Sequence, residues 1–583
     1  MFTTRPTLQG TFGMVSSTHW LASSSAMAVL EDGGNAFDAA VAAAFVLHVV
    51  EPHLNGPAGE VPMIVAPAGA EPTVLCGQGV APAGATVAHY TSLGLDLVPG
   101  TGPLAAAVPG AFDAWLLLLR DHGTKSLREV LTYAIGYAEG GHPAVARVGS
   151  TVDTVRELFE TEWTSSAAVY LRDGEPPAAG RLLRNPALAW TWQRLLTEAE
   201  AAGANRETQI DAARAVWRAG FIAEAIATQA AKPTMDTSGE RHESTMTGDD
   251  LAGFSAHYEP PATFTRNGWT VAKPGLWSQG PTFLQQLALL PTDDDPDDHH
   301  TLIEGTKLAM ADREAWYGDS TDVTLESLLS PSYNDSRRGL VGERASAELR
   351  PGSPDGREPR LPAHLDLAGA AAPTPVGAGE PTVAPDGGTR GDTCHVDVVD
   401  RWGNMIAATP SGGWLQSNPV IPELGFPLGT RLQMTWLEDG LPNSLVPGRR
   451  PRTTLSPSMA MRDGQPVMAF GTPGGDQQDQ WSLHFFLAVT RGRDLQAAID
   501  APNWHTSSFP SSFYPRAMVP GGVTVESRIG DDVIDGLRER GHDVTVGDPW
   551  SEGRLCAVTR DPETGVLSAA ANPRGMQGYA VGR

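Results

Sequence analysis

The chain has 583 residues, more than one hydrophobic core usually serves, so it holds either several domains or one large layered body. Hydrophobic residues make up 41%, which argues against extensive disorder. A net charge of −26 repels polyanions, so neither nucleic acid nor an anionic membrane is an expected partner.

The opening stretch "MFTTRPTLQGTFGMVSSTHW" has no apolar core behind a basic start, and no run of 18 apolar residues occurs. These features lead us to expect a soluble, cytoplasmic protein. A first helix is predicted over Ser23 to Glu31, stopped by Gly33-Gly34. Asn35 can cap a second, from Ala36 to about Val50, which is apolar nearly all round and so belongs inside a large body. Glu51-Pro52 ends it, and "NGPAGEVPMIV" turns into a strand. Further helices follow Pro109-Gly110 and span "SLREVLTYAIGYAEGG". Others run from Pro186 to Glu200 with Asn185 as cap, from Ala212 to Ala231, and from His300 to Trp316. The run "DDDPDDHH", Asp293 to His300, reads as a solvated loop, with a metal site the weaker alternative because ligands need a rigid shell.

From Pro351 to Asp392 the composition shifts to Pro, Gly and Ala without apolar periodicity, the signature of an exposed linker. Beyond it the chain is strand-rich: His395 to Val399, Met405 to Thr409, Val467 to Phe470, Val523 to Glu526 and Cys556 to Thr559. Helices, linker, then strands suggest two parts. Cys76, Cys394 and Cys556 have neither metal-ligand spacing nor a disulfide framework.

In "TCHVDVVDRWGNMIAATPSGG", two strands flank "RWG", a three-residue loop ending in the glycine that the left-handed position favours. Centring the loop on Trp402 sets Asp400 opposite Asn404, Val396 opposite Ala408, and Thr393 opposite Ser411. Opposed Cβ atoms lie about 5 Å apart, so the turn brings a second hydroxyl beside Thr393. Val396, Val398, Ile406 and Ala408 share a core face. Thr393, His395, Asp397, Thr409 and Ser411 share a more polar one. On these residues alone, ordinary cross-strand Thr–Ser hydrogen bonding at a strand start explains the pattern.

The Thr-Cys-His start, short strand, Asp-x-x-Gly-Asn turn and return strand resemble the nucleophile hairpin of the γ-glutamyltranspeptidase family of N-terminal nucleophile hydrolases. "AMAVLEDGGNAFDAAVAAAFVLHVVEP", "VPGAFDAW", "KLAMADREAWYGDS", "RPRTTLSPSMAMRDGQPVMAFGTPGGDQ" and "DAPNWHTSSFPSSF" are similar to family motifs in the same order. The resemblance covers nearly the whole chain except the linker and the acidic run. It implies an α/β (α+β) fold, a four-layer αββα sandwich with both fragments in one body. It implies a precursor cut between Asp392 and Thr393, giving a large fragment 1–392 and a small fragment 393–583. Thr393 would then be the nucleophile and its freed amine, with a reference pKa of about 7.7–8.0, the base. Ser411 would orient the nucleophile, where the family usually has threonine. The backbone N–H groups of Gly474 and Gly475 would hold the oxyanion. Thr453 and Thr454 stand where the family has a substrate-contacting serine pair, and Gln433 is retained from a Gln-Met pair. No metal and no organic cofactor is implied.

Three departures bear on substrate. Gln78 stands in place of the arginine for a glutamyl α-carboxylate, Trp436 in place of the aspartate for the α-amino group, and Gly413 in place of an asparagine. A neutral amide cannot make the bidentate charged contact of arginine. The short segment between Trp436 and Pro451 leaves no room for the lid loop of many relatives. The function the resemblance implies is a self-processing γ-glutamyltransferase-like or glutathione hydrolase-like amidohydrolase or acyltransferase acting on a γ-glutamyl or related acyl group. A cephalosporin- or glutaryl-type acylase is the alternative, and a non-catalytic ligand-binding homologue a second. A small amide substrate and water or an amine acceptor would be its partners.

Overall fold

The computed structural model describes residues 2–291, 298–363, 365 and 393–583. Two seven-stranded sheets, each antiparallel throughout, form its centre. The first runs Tyr579–Gly582, Gly13–Ser17, Val396–Asp400, Met405–Ala408, Val61–Ala66, Thr73–Gly77 and His257–Glu259. The second runs Leu8–Gly10, Leu567–Ala571, Cys556–Arg560, Gln465–Gly471, Ser458–Arg462, Trp269–Lys273 and Ala262–Arg266.

Strand periodicity decides the layering, because alternate side chains leave opposite faces. Met14, Ile64, Val399, Met405 and Ala407 of the first sheet pack against Ala272, Met459, Ala469, Val558 and Ala569 of the second. On the outer face of the first sheet, Val15, Val65, Val396, Val398, Ile406 and Ala408 meet a helical layer that includes Ala36–Val50 and Ala111–His122. On the outer face of the second, Val271, Met468, Phe470 and Ala557 meet Gly280–Leu289 and Gln478–Thr490. The result is the expected αββα sandwich.

Ala36–Val50 has the bounds that its cap predicts. Asn35 accepts from Phe37 and Asp38, Asp38 returns a bond to Asn35, and every residue of the helix is buried. The first helix starts at Trp20, three residues earlier than expected, because the His19 ring takes the N-cap position and accepts from Leu21. The single helix predicted over Ala212 to Ala231 is two, Arg206–Ala219 and Phe221–Ala230. Gly220 breaks it by taking extended backbone, φ −100° and ψ −159°.

Both sheets interleave strands from before and after Thr393. The proline-rich segment is not wholly an exposed linker: Gly352 donates to Asp312 and accepts from Trp316, and Ala363 donates to Glu438. The remainder of the linker, Asp392 included, and most of the acidic run lie outside the described residues. Cys76, Cys394 and Cys556 are buried free thiols. No helix among the described residues is long and apolar enough to cross a membrane.

Candidate active site

The hairpin has the predicted register: Val396 faces Ala408, Val398 faces Ile406, and Thr393 bridges Ser411. Gly403 closes the turn at φ +91°, and Asp400 gathers the Trp402 and Asn404 amides. The other Asp400 oxygen accepts from Ala36 at 2.9 Å, tying the turn to the positive end of the buried helix.

The Thr393 hydroxyl lies 3.3 Å from Ser411 Oγ, and both residues are buried. Arg431 donates to Ser411 Oγ at 3.0 Å and pairs with Glu60. Glu60 in turn exchanges backbone hydrogen bonds with Ser411. Burial raises the Glu60 carboxyl, and Arg431 opposes that shift. Gly412, at φ +75°, permits this approach, since a Cβ there would sit 2.6 Å from the Glu60 carboxylate. Next to Thr393, Cys394 donates to Glu51 at 3.0 Å and accepts from Asn55 at 3.2 Å. Thr18 and Gln577 complete the shell around Glu51. Burial and the neighbouring Glu51 push the Cys394 thiol well up, so it is an inert anchor.

The polar face of the hairpin is not solvated: it is sealed between the sheets. His395 bonds Thr409 and Asp397, each at 2.9 Å, and its ring lies against Gly471. Burial raises the Asp397 carboxyl to about 6. The folded state therefore holds a proton that the unfolded chain has lost between about pH 4 and 6, so this term loses stability as pH rises through that window. Asp397→Asn removes it. Relative to wild type, the variant is expected to gain up to about 3 kcal/mol between pH 4 and 7, at about 1.4 kcal/mol per pKa unit. Urea unfolding at both pH values measures the difference, and a pH-independent difference sinks the assignment.

Gly474 and Gly475 follow the strand Gln465–Gly471 at φ +127° and +52°, conformations that favour glycine. A Cβ on Gly474 would fall 2.1 Å from the Trp481 ring. Gln279 ties this turn to the threonine pair, donating from Nε2 to the Gly475 carbonyl and from its backbone to Thr453. The Thr454 hydroxyl is buried without a hydrogen-bond partner among the described residues. Asp476, next along, binds Arg313 and Ser512, and Tyr514 donates to Gln433 Oε1. The segment 511–516 thus joins the glycine turn to Gln433, while Phe513 packs with Trp414 and Met434.

The three departures are placed separately. Gln78 is buried at the end of Thr73–Gly77, with its Oε1 unsatisfied among the described residues. Gly413, at φ +65°, sets its bare backbone against Gly56 and Gly59. The Trp436 indole N–H donates to Glu314 at 2.7 Å. Sequence reasoning missed Glu60, Arg431 and Gln279. Glu60 had one available signal, a lone acid in a glycine-rich turn that leads into an apolar strand.

A four-layer αββα body with a threonine–serine pair at the head of a central hairpin has the fold of the N-terminal nucleophile hydrolases. The family model described as Gamma-glutamyltranspeptidase matches residues 22–582, and the chain belongs to that family. It is 30% identical to the oxamate amidohydrolase proenzyme of Klebsiella pneumoniae, covering 98% of both chains. It is similar to the solved structure of LmbA2991HD, with TM-score 0.96 and 73% identity over the whole of each chain. It is also similar to the cephalosporin acylase of Bacillus halodurans, with TM-score 0.81 and 26% identity over 100% of this chain and 97% of the other.

Proposed function

We propose that the chain is a self-processing amide acylase whose donor lacks the amino-acid head group of a γ-glutamyl substrate. Thr393 Oγ attacks the Asp392 carbonyl, the acyl group passes from nitrogen to oxygen, and water hydrolyses the ester. This frees the Asp392 carboxylate and the Thr393 amine. In turnover that amine takes the Oγ proton as Oγ attacks the substrate carbonyl. The N–H groups of Gly474 and Gly475 hold the developing oxyanion. Collapse expels the amine with the proton, and water or an acceptor amine then takes the acyl group from Thr393.

The observation that carries this reading is the buried Thr393–Ser411–Arg431–Glu60 chain, which fixes one hydroxyl beside a polarised neighbour. Against a γ-glutamyl preference stand Gln78, Gly413 and Trp436. Each lost charge-assisted hydrogen bond to a donor head group costs about 1.5–3 kcal/mol. Two such losses cost roughly two to four decades in kcat/KM. With processed enzyme and a common p-nitroanilide leaving group, glutaryl is expected to match or exceed γ-glutamyl. A hundredfold preference for γ-glutamyl-p-nitroanilide would restore an ordinary γ-glutamyltransferase. Names among the relatives, oxamate amidohydrolase and cephalosporin acylase, are consistent with the acylase reading.

A further inference from the structure

The resemblance puts an acid at position 436 to hold an ammonium group; this chain has Trp436, and the local charge is reversed. The Arg516 guanidinium lies over the Trp436 ring, 4.3 Å from its centroid. Arg516 is 1% exposed. Its hydrogen bonds go to two backbone carbonyls, Thr435 at 2.8 Å and Ser511 at 3.5 Å, and among the described residues it makes no ion pair.

The nearby acids are already engaged. Glu314 accepts from Trp436 and from Arg452, each at 2.7 Å. Asp476 is bound by Arg313 and by the backbone and hydroxyl of Ser512. Three buried arginines therefore face two buried carboxylates, and the excess cation falls on Arg516. A buried charge without a counterion is costly, and arginine cannot shed its proton to avoid the cost.

The position of this cation is informative. Arg516 ends the segment that also carries Tyr514 on Gln433 and Phe513 against Trp414. Trp414 lies under Arg431, which binds Ser411. Arg452 immediately precedes Thr453 and Thr454. These contacts tie the segment that ends in Arg516 to Gln433 and, through Trp414 and Arg431, to Ser411.

We propose that Arg516 is a specificity residue that pairs with a carboxylate on the acyl chain of the donor. The substrate class is an ω-carboxyacyl amide that bears no ammonium group. Its planar guanidinium suits bidentate carboxylate binding, and the Trp436 ring holds it in place. This inference rests on the acylase reading above.

The test uses processed full-length enzyme and p-nitroanilides of oxalyl, malonyl, succinyl and glutaryl groups. Each is paired with the acyl chain that has methyl in place of the carboxylate. At least one carboxylate donor is expected to exceed its methyl partner thirtyfold or more in kcat/KM. Arg516→Gln is expected to cut that ratio at least tenfold, chiefly through KM, and Arg516→Lys to retain part of it. Self-cleavage on a denaturing gel shows that each variant folds. A wild type that prefers methyl partners at every length, or a ratio that Arg516→Gln leaves unmoved, overturns the role of Arg516 while the acylase reading stands. A wild type that stays uncut and inert on all donors overturns both.

Discussion

Thr393→Ala is expected to leave one uncut chain with no amidase activity above background. On the proposed mechanism self-cleavage and turnover use the same hydroxyl, and the neighbouring Ser411 Oγ accepts from Arg431. The loss is larger than a missing hydrogen bond would cause, because without the nucleophile neither the ester nor the freed amine forms. Thr393→Ser keeps the hydroxyl and is expected to process. A denaturing gel with an anilide assay reads both results. If Thr393→Ala still yields fragments spanning 1–392 and 393–583, another group cuts the chain and the nucleophile assignment fails.

Gly474→Ala carries the second largest effect. Its backbone, at φ +127°, is strained for any L side chain, and the added methyl group meets the Trp481 ring at 2.1 Å. Trp481 has little room to yield, since its indole N–H is fixed on Glu552 at 3.1 Å. The turn must then move and carry its N–H groups away from the oxyanion position proposed for them. Removing one such donor typically costs 10²–10³ in kcat. We expect a loss of roughly that size, about 3–4 kcal/mol in barrier, with slowed self-cleavage. Single-turnover acylation rates measure it. A variant that acylates within threefold of wild type would remove Gly474 from the oxyanion site.

Local signals determined a good part of this protein. The Asn35 cap fixed the start of a fully buried helix, and glycine at the end of "RWG" set the hairpin register that places Thr393 opposite Ser411. Both are short-range effects, settled by a few backbone dihedrals and one side-chain bond. Gly220 was equally local and was still misread, because helix propensity on both sides outweighed one glycine in the pattern.

What the tertiary structure alone decided is the pairing of buried charge. Arg431 and Glu60 stand 371 positions apart, and Arg516 meets Trp436 across a separate loop. Nothing in either segment marks its partner, since a charged residue in isolation is expected at the surface. Only the closing of two interleaved sheets takes these groups out of water, where each must find a counter-charge or a ligand. The same closure turned the polar face of the hairpin inward, so His395 and Asp397 became a sealed pair in which burial raises the Asp397 carboxyl.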